Sequence, residues 1–161
     1  MDQQLASLLD QGFRDAGIPR RVLSADVAGR VKTAVDRAYT PRLRRLGMCE
    51  VLDQPHESVN LAEGWKLLCT CVGAQPCLLV FDPLDLDEVF EFTSGGELER
   101  LLSETPHFDV FVTDRPASFL LVFDHEDNLV GYGTAADWVR GTAGVGGERS
   151  TPPPLSPPPA R

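Results

Sequence analysis

The same five residues occur twice in this chain, as Leu78-Leu-Val-Phe-Asp82 and as Leu120-Leu-Val-Phe-Asp124. Four consecutive apolar residues leave no face for water, so each copy suits a strand buried on both sides. The Asp that follows can start a turn by bonding its own backbone. Each copy precedes an acidic connection and then another candidate strand. Two hairpins of similar design explain the echo, and five residues are too few to indicate a duplicated domain.

Around these strands the spacing of apolar residues predicts the remaining elements. Leu5, Leu8, Leu9 and Phe13 recur at helical spacing, with Gly17 and Pro19 as a stop. Ser24 is placed to cap a second helix whose Val27, Val31, Ala34, Val35 and Ala38 share a face, and Pro41 ends it. Residues 49–64 suggest a loop with a short strand near Val51. Trp65–Val72, Cys77–Asp82 and Glu88–Phe92 read as strands. Ser94-Gly-Gly-Glu97 matches a capping box, in which the Ser hydroxyl accepts from the Glu97 amide and the Glu carboxylate reaches back to the Ser94 amide. Leu98, Leu101 and Leu102 give that helix an apolar face. Asp109–Thr113, Ser118–Phe123 and Leu129–Gly133 read as strands. A short helix carrying Trp138 and Val139 then ends at Gly141.

This order argues an α+β fold with a mainly antiparallel sheet of about five or six strands. The two N-terminal helices pack on one face of it, and short helices lie near 94–105 and 134–140. The expected core draws on Leu8, Leu9, Val31, Leu68, Leu79, Phe81, Phe90, Leu101, Val110, Leu121, Phe123 and Trp138. Residues 1–141 form a single domain in this reading. Residues 142–161, TAGVGGERSTPPPLSPPPAR, offer little to a core and read as a disordered Pro-rich tail.

Charge narrows the partners. Residues 1–45 hold nine Lys/Arg against five Asp/Glu, a local +4, and the remaining 116 residues hold six against 19, a local −13. The body of the protein should repel nucleic acid and anionic membranes and attract a basic protein. No apolar run is long enough for a transmembrane helix. The opening MDQQLASLLDQGF does not read as a secretory signal, and a cytoplasmic location is the expectation. The basic stretch around Arg30, Lys32, Arg37, Arg42, Arg44 and Arg45 reads as a solvated face.

Several motifs could carry chemistry. The stretch Phe123-Asp-His-Glu-Asp-Asn128 concentrates acids, an imidazole and an amide. Neighbouring strand residues point to opposite faces, so consecutive ligands converge poorly, and the spacing is not that of an EF-hand. A hairpin tip is the favoured reading. Cys69 and Cys71, two apart on a predicted strand with Cys77 following, lack the paired knuckles of a zinc site, so buried free thiols are expected. Gly131-Tyr-Gly133-Thr-Ala-Ala136 matches a dinucleotide turn without the βαβ unit it needs; close packing of strand on helix explains the glycines. No catalytic residue, metal site or cofactor is assigned.

The segment Phe111-Val-Thr-Asp114 followed by Ser118–Gly133 resembles small bacterial proteins grouped with the immunity proteins of polymorphic toxin systems. The likeness spans about residues 108–139. It implies an intracellular α+β protein and carries over no catalytic residue. The functional expectation is a non-enzymatic intracellular binding protein of immunity type. Its acidic surface, formed by Asp82, Asp85, Asp87, Glu88, Asp124, His125, Glu126 and Asp127, would take a basic partner protein. One alternative is a hydrolase or metal-dependent enzyme using His125 and nearby carboxylates. Another is a housekeeping interaction module docking through the Pro-rich tail.

Overall fold

A computed structural model describes residues 3–39, 56–81, 86–105 and 108–143. The strand proposed near Val51, the basic residues Arg42, Arg44 and Arg45, and residues 144–161 of the Pro-rich stretch lie outside them. The described elements run α1 (Gln3–Asp15), α2 (Ala25–Tyr39), β1 (His56–Asn60), α3 (Gly64–Val72), β2 (Cys77–Val80), β3 (Phe90–Phe92), α4 (Gly95–Ser103), β4 (Val110–Thr113), β5 (Phe119–Phe123), β6 (Asn128–Gly133) and α5 (Ala135–Ala143). The six strands form one antiparallel sheet in the order β1-β6-β5-β4-β2-β3. The fold is therefore α+β.

The repeated Leu-Leu-Val-Phe runs lie in β2 and β5, except that Phe81 falls just past the end of β2; every residue of both strands is buried, and so is Phe81. Both helical layers draw on them, because successive strand residues face opposite ways. Cys77, Leu79, Phe81, Phe119, Leu121 and Phe123 join a large core with α1, α3, α4 and α5. Leu78 and Val80 pack with Ala28 and Val31 of α2, and Leu120 and Val122 pack with Val35 and Tyr39 of the same helix. Both N-terminal helices thus pack on the sheet, but on opposite faces, not on one.

The crossover between them explains this. Helix α1 closes in a Schellman motif: Ile18 N–H donates to the Phe13 carbonyl (3.2 Å) and Gly17 N–H to the Arg14 carbonyl (3.1 Å). Gly17 takes φ +60°, which glycine reaches without steric cost. The chain then runs along the outer edge of β3. Leu23 N–H donates to the Val89 carbonyl (3.0 Å), and Glu91 N–H donates to the Arg21 carbonyl (2.9 Å). Two arginines pin this strap. Arg20 pairs with Asp10 and Glu88 and lies 5.3 Å above the Phe90 ring, while Arg21 holds Glu97.

Trp65–Val72, expected as a strand, is the helix α3. Its buried positions are Gly64, Leu68, Cys69, Cys71 and Val72, the i, i+4, i+7 spacing of a helix face. Cys69 and Cys71 therefore share a helix rather than a strand face. The Trp65 neighbourhood is rich in β-favouring residues, and tertiary packing overrides that preference. The polar strand β1 forms instead where a loop was expected, pairing with β6 from His56↔Tyr132 to Asn60↔Asn128. Its outer position in the sheet needs no apolar run. Of the expected core, eleven residues are buried and Leu8 is half-buried.

The capping box at α4 is half as expected. The Ser94 hydroxyl accepts from Glu97 N–H at 3.3 Å, but the Glu97 carboxylate receives the Thr93 amide (2.7 Å) rather than that of Ser94. Helix α5 runs through Gly141 to Ala143, two residues past the expected end of the domain. Gly131 lies under this helix: a Cβ there would come within 2.7 Å of the Ala135 carbonyl oxygen. Close packing of strand and helix accounts for that glycine of the Gly131-Tyr-Gly133 run.

Candidate functional site: the acidic end of the sheet

Strands β2 and β5 run in the same direction, because each is antiparallel to β4 between them. The exit of β2, the start of β3, the start of β4 and the β5–β6 turn therefore share one end of the sheet. Two strand spacings, about 10 Å, separate the axes of β2 and β5. Strand β1 also ends here, at Asn60.

The β5–β6 turn is built by its first residue. Asp124 N–H donates to the Asn128 carbonyl (3.1 Å), and Asp127 N–H donates to the Asp124 carbonyl (3.1 Å). The Asp124 carboxylate accepts from the amides of Glu126 (2.9 Å) and Asn128 (3.0 Å) and from the Asn128 side-chain amide (3.1 Å). Asp127 takes φ +62°, the left-handed position that closes a three-residue hairpin loop and that glycine usually fills. Asn60 of β1 steadies the tip by donating to the Glu126 carbonyl (2.7 Å). FDHEDN is thus a hairpin tip, and Asp124, only 3% exposed, is its internal scaffold rather than a surface contact.

The other site residues fall into different states. Asp82 and Asp85 lie outside the described residues. Asp87 is exposed, and Glu88 is engaged by Arg20 through both carboxylate oxygens at 2.8 Å. His125 and Glu126 are exposed and Asp127 is half-exposed. Lys32 of α2 reaches this end as well, donating to the Leu86 carbonyl at 2.9 Å.

The structure adds Asp109, which sequence reasoning missed. Its Oδ1 accepts the His125 amide at 2.9 Å and lies 3.1 Å from His125 Nδ1. The hydrogen bond and charge of Asp109 raise the imidazole pKa above its ordinary 6.5, with Asp124 and Glu126 adding to the effect. The signal was the register: Val110 pairs with Phe123, so the residues just outside that pair meet at the sheet's end. That pairing is non-local and leaves no mark in either segment alone.

The His125 side chain is 68% exposed, on the outside of the turn. Among the described residues, no group of three His, Cys, Asp or Glu side chains is arranged to hold a metal ion. The thiols of Cys69, Cys71 and Cys77 are buried and unbridged. Burial drives the pKa of all three up, that of Cys77 to about 12. Thiolate chemistry at neutral pH is therefore suppressed at these positions. Among the described residues no helix is long and apolar enough to cross a membrane. Comparison with protein families, with curated proteins and with solved structures finds no significant match for this chain.

Proposed function

We propose that the protein is a non-enzymatic binding protein, of immunity type, that presents the acidic end of its sheet to a basic partner protein. The observation that supports this reading most is the placement of the strand ends. The start of β3, with Asp87, and the β5–β6 turn, with Glu126 and Asp127, share one end of the sheet, and Asp109 leads into the strand between them. The net charge of residues 46–161, −13, has the same sign. Such a surface steers a cationic partner and speeds encounter, with a strong dependence on salt. Among the described residues of the set first named from sequence, the contacts narrow to Asp87, His125, Glu126 and Asp127, while Asp82 and Asp85 lie outside the described residues. Glu88 is shared with Arg20, and Asp124 is internal.

The test is affinity purification of partners from the native host, with fluorescence anisotropy of a labelled decalysine peptide as a defined probe. A variant carrying Asp87→Asn, Glu126→Gln and Asp127→Asn should bind the peptide about tenfold more weakly, since three screened surface charges each contribute a fraction of a kcal/mol. Peptide affinity that ignores both salt and this variant removes the reading.

One observation favours a second reading, a hydrolase centred on His125: a carboxylate from another segment, Asp109, lies within hydrogen-bond reach. General-base chemistry also needs an enclosure that positions a substrate, and this imidazole stands on an exposed tip. Hydrolysis of a panel of activated esters and phosphoesters that disappears in His125→Gln would revive it.

A further inference from the structure

The β5–β6 turn is closed without the His125 ring. Asp124 supplies the carboxylate that organises the turn, Asp127 supplies the left-handed residue, and Asn60 braces the tip from β1. The imidazole instead reaches across to Asp109, at the start of the neighbouring strand. The same Asp109 oxygen holds the His125 amide, so backbone and ring are fastened to one acceptor.

We propose that the His125–Asp109 pair is a proton-operated control on the acidic end of the sheet, loosening its hold on a basic partner as the pH falls. The proposal rests on the reading that this end binds a basic protein. Among the described residues, the charged groups facing His125 are Asp109 from the segment leading into β4, and Asp124 and Glu126 from its own turn; Asp127 completes that turn. Carboxylates in an ordinary setting stay ionised well below pH 6, whereas imidazole gains its proton near neutrality. Proton uptake by His125 places a positive charge among these acids, where a cationic partner would otherwise sit. It also strengthens the contact with Asp109, since a protonated ring donates to a carboxylate with charge assistance. The raised imidazole pKa moves this change toward neutral pH. Acid therefore tightens the His125–Asp109 contact and weakens the surface at once.

The experiment measures decalysine binding at two pH values, one above and one below neutrality, at fixed low salt, for the full chain and its His125→Gln variant. The natural chain should lose about three- to fivefold in affinity at the lower pH, the scale of one unit charge at contact distance in water. His125→Gln should lose clearly less. Asp109→Asn should lower the pH midpoint of the His125 ring resonances in an NMR titration. Equal losses in the natural chain and His125→Gln, or an unmoved midpoint in Asp109→Asn, overturn the control while leaving the binding reading in place. A natural chain that fails to bind the peptide above neutrality overturns both.

Discussion

Asp124 and Asp127 sit three residues apart in one turn, and the structure gives them opposite energetics. Asp124 is buried, and its carboxylate accepts three hydrogen bonds. Asp124→Ala should cost about 1.5–3 kcal/mol, the range for hydrogen bonds to a charged group. Urea unfolding measures it, and a midpoint within error of the natural chain's would show that the turn closes without this side chain. Asp127 holds a left-handed conformation at a cost that side chains ordinarily feel as about 1–2 kcal/mol. Asp127→Gly relieves that strain and adds about 0.4–1 kcal/mol of chain entropy to the unfolded state. The net gain in stability should be small and positive, and a lower urea midpoint would contradict it. The substitution also removes a surface carboxylate, so stability and peptide affinity should move in opposite directions.

At the scale of elements, what could be read in advance depended on how local the cause was. The twin Leu-Leu-Val-Phe runs foretold β2 and β5 because burial on both faces writes four apolar residues in a row. Ser94 foretold the start of α4 because a cap acts within one turn. Helix α3 was misread since Trp65–Val72 carries β-favouring residues, and its helical state depends on α4 and the sheet packing against it. Strand β1 was missed because its pairing with β6 is non-local and its sequence, HESVN, is polar. Asp109 escaped notice for the same reason.

The link between α4 and the strap gives a pH prediction at this scale. Partial burial on its own would raise the Glu97 carboxyl, but the Thr93 amide, the Arg21 guanidinium and the Thr93 hydroxyl together hold it below its ordinary 4.5. A depressed folded-state pKa adds stability above the unfolded value and loses it as pH falls through the folded one. The Glu97 side chain is 12% exposed and that of Arg21 36%, so solvent screens the pair in part. Glu97→Gln should therefore be less stable near neutrality and show a flatter decline below about pH 4.5. Parallel acid limbs in thermal melts of the two proteins would remove this role. Gly131→Ala tests the strand–helix contact. Its methyl would press on the Ala135 backbone of α5, and overpacking of this kind costs about 1–3 kcal/mol.

Across the whole molecule, the cysteines report on the layering. Cys69 and Cys71 in α3 and Cys77 in β2 are enclosed between helix and sheet. In the native protein, alkylation followed by peptide mapping should leave all three unlabelled, and denaturant should expose them together. Labelling of Cys77 alone under native conditions would mean that β2 opens independently of the rest of the core.

The strap from Arg20 to Leu23 has a further consequence, for the order in which the protein can be assembled. It leaves α1 on one face of the sheet, passes the β3 edge and delivers α2 to the other face. The N-terminal residues leave the ribosome first, yet the strand they clasp and both surfaces they cover are made much later. Until Phe90 is in place, α1 and α2 have nothing to close upon, so the clasp is a late, long-range event in folding. Once shut, it also occupies the outer rim of β3, a row of backbone groups that would otherwise invite pairing with another chain. Helices made before the strand they clasp thus engage only once that strand exists, and the strap between them then covers the β3 edge of the sheet.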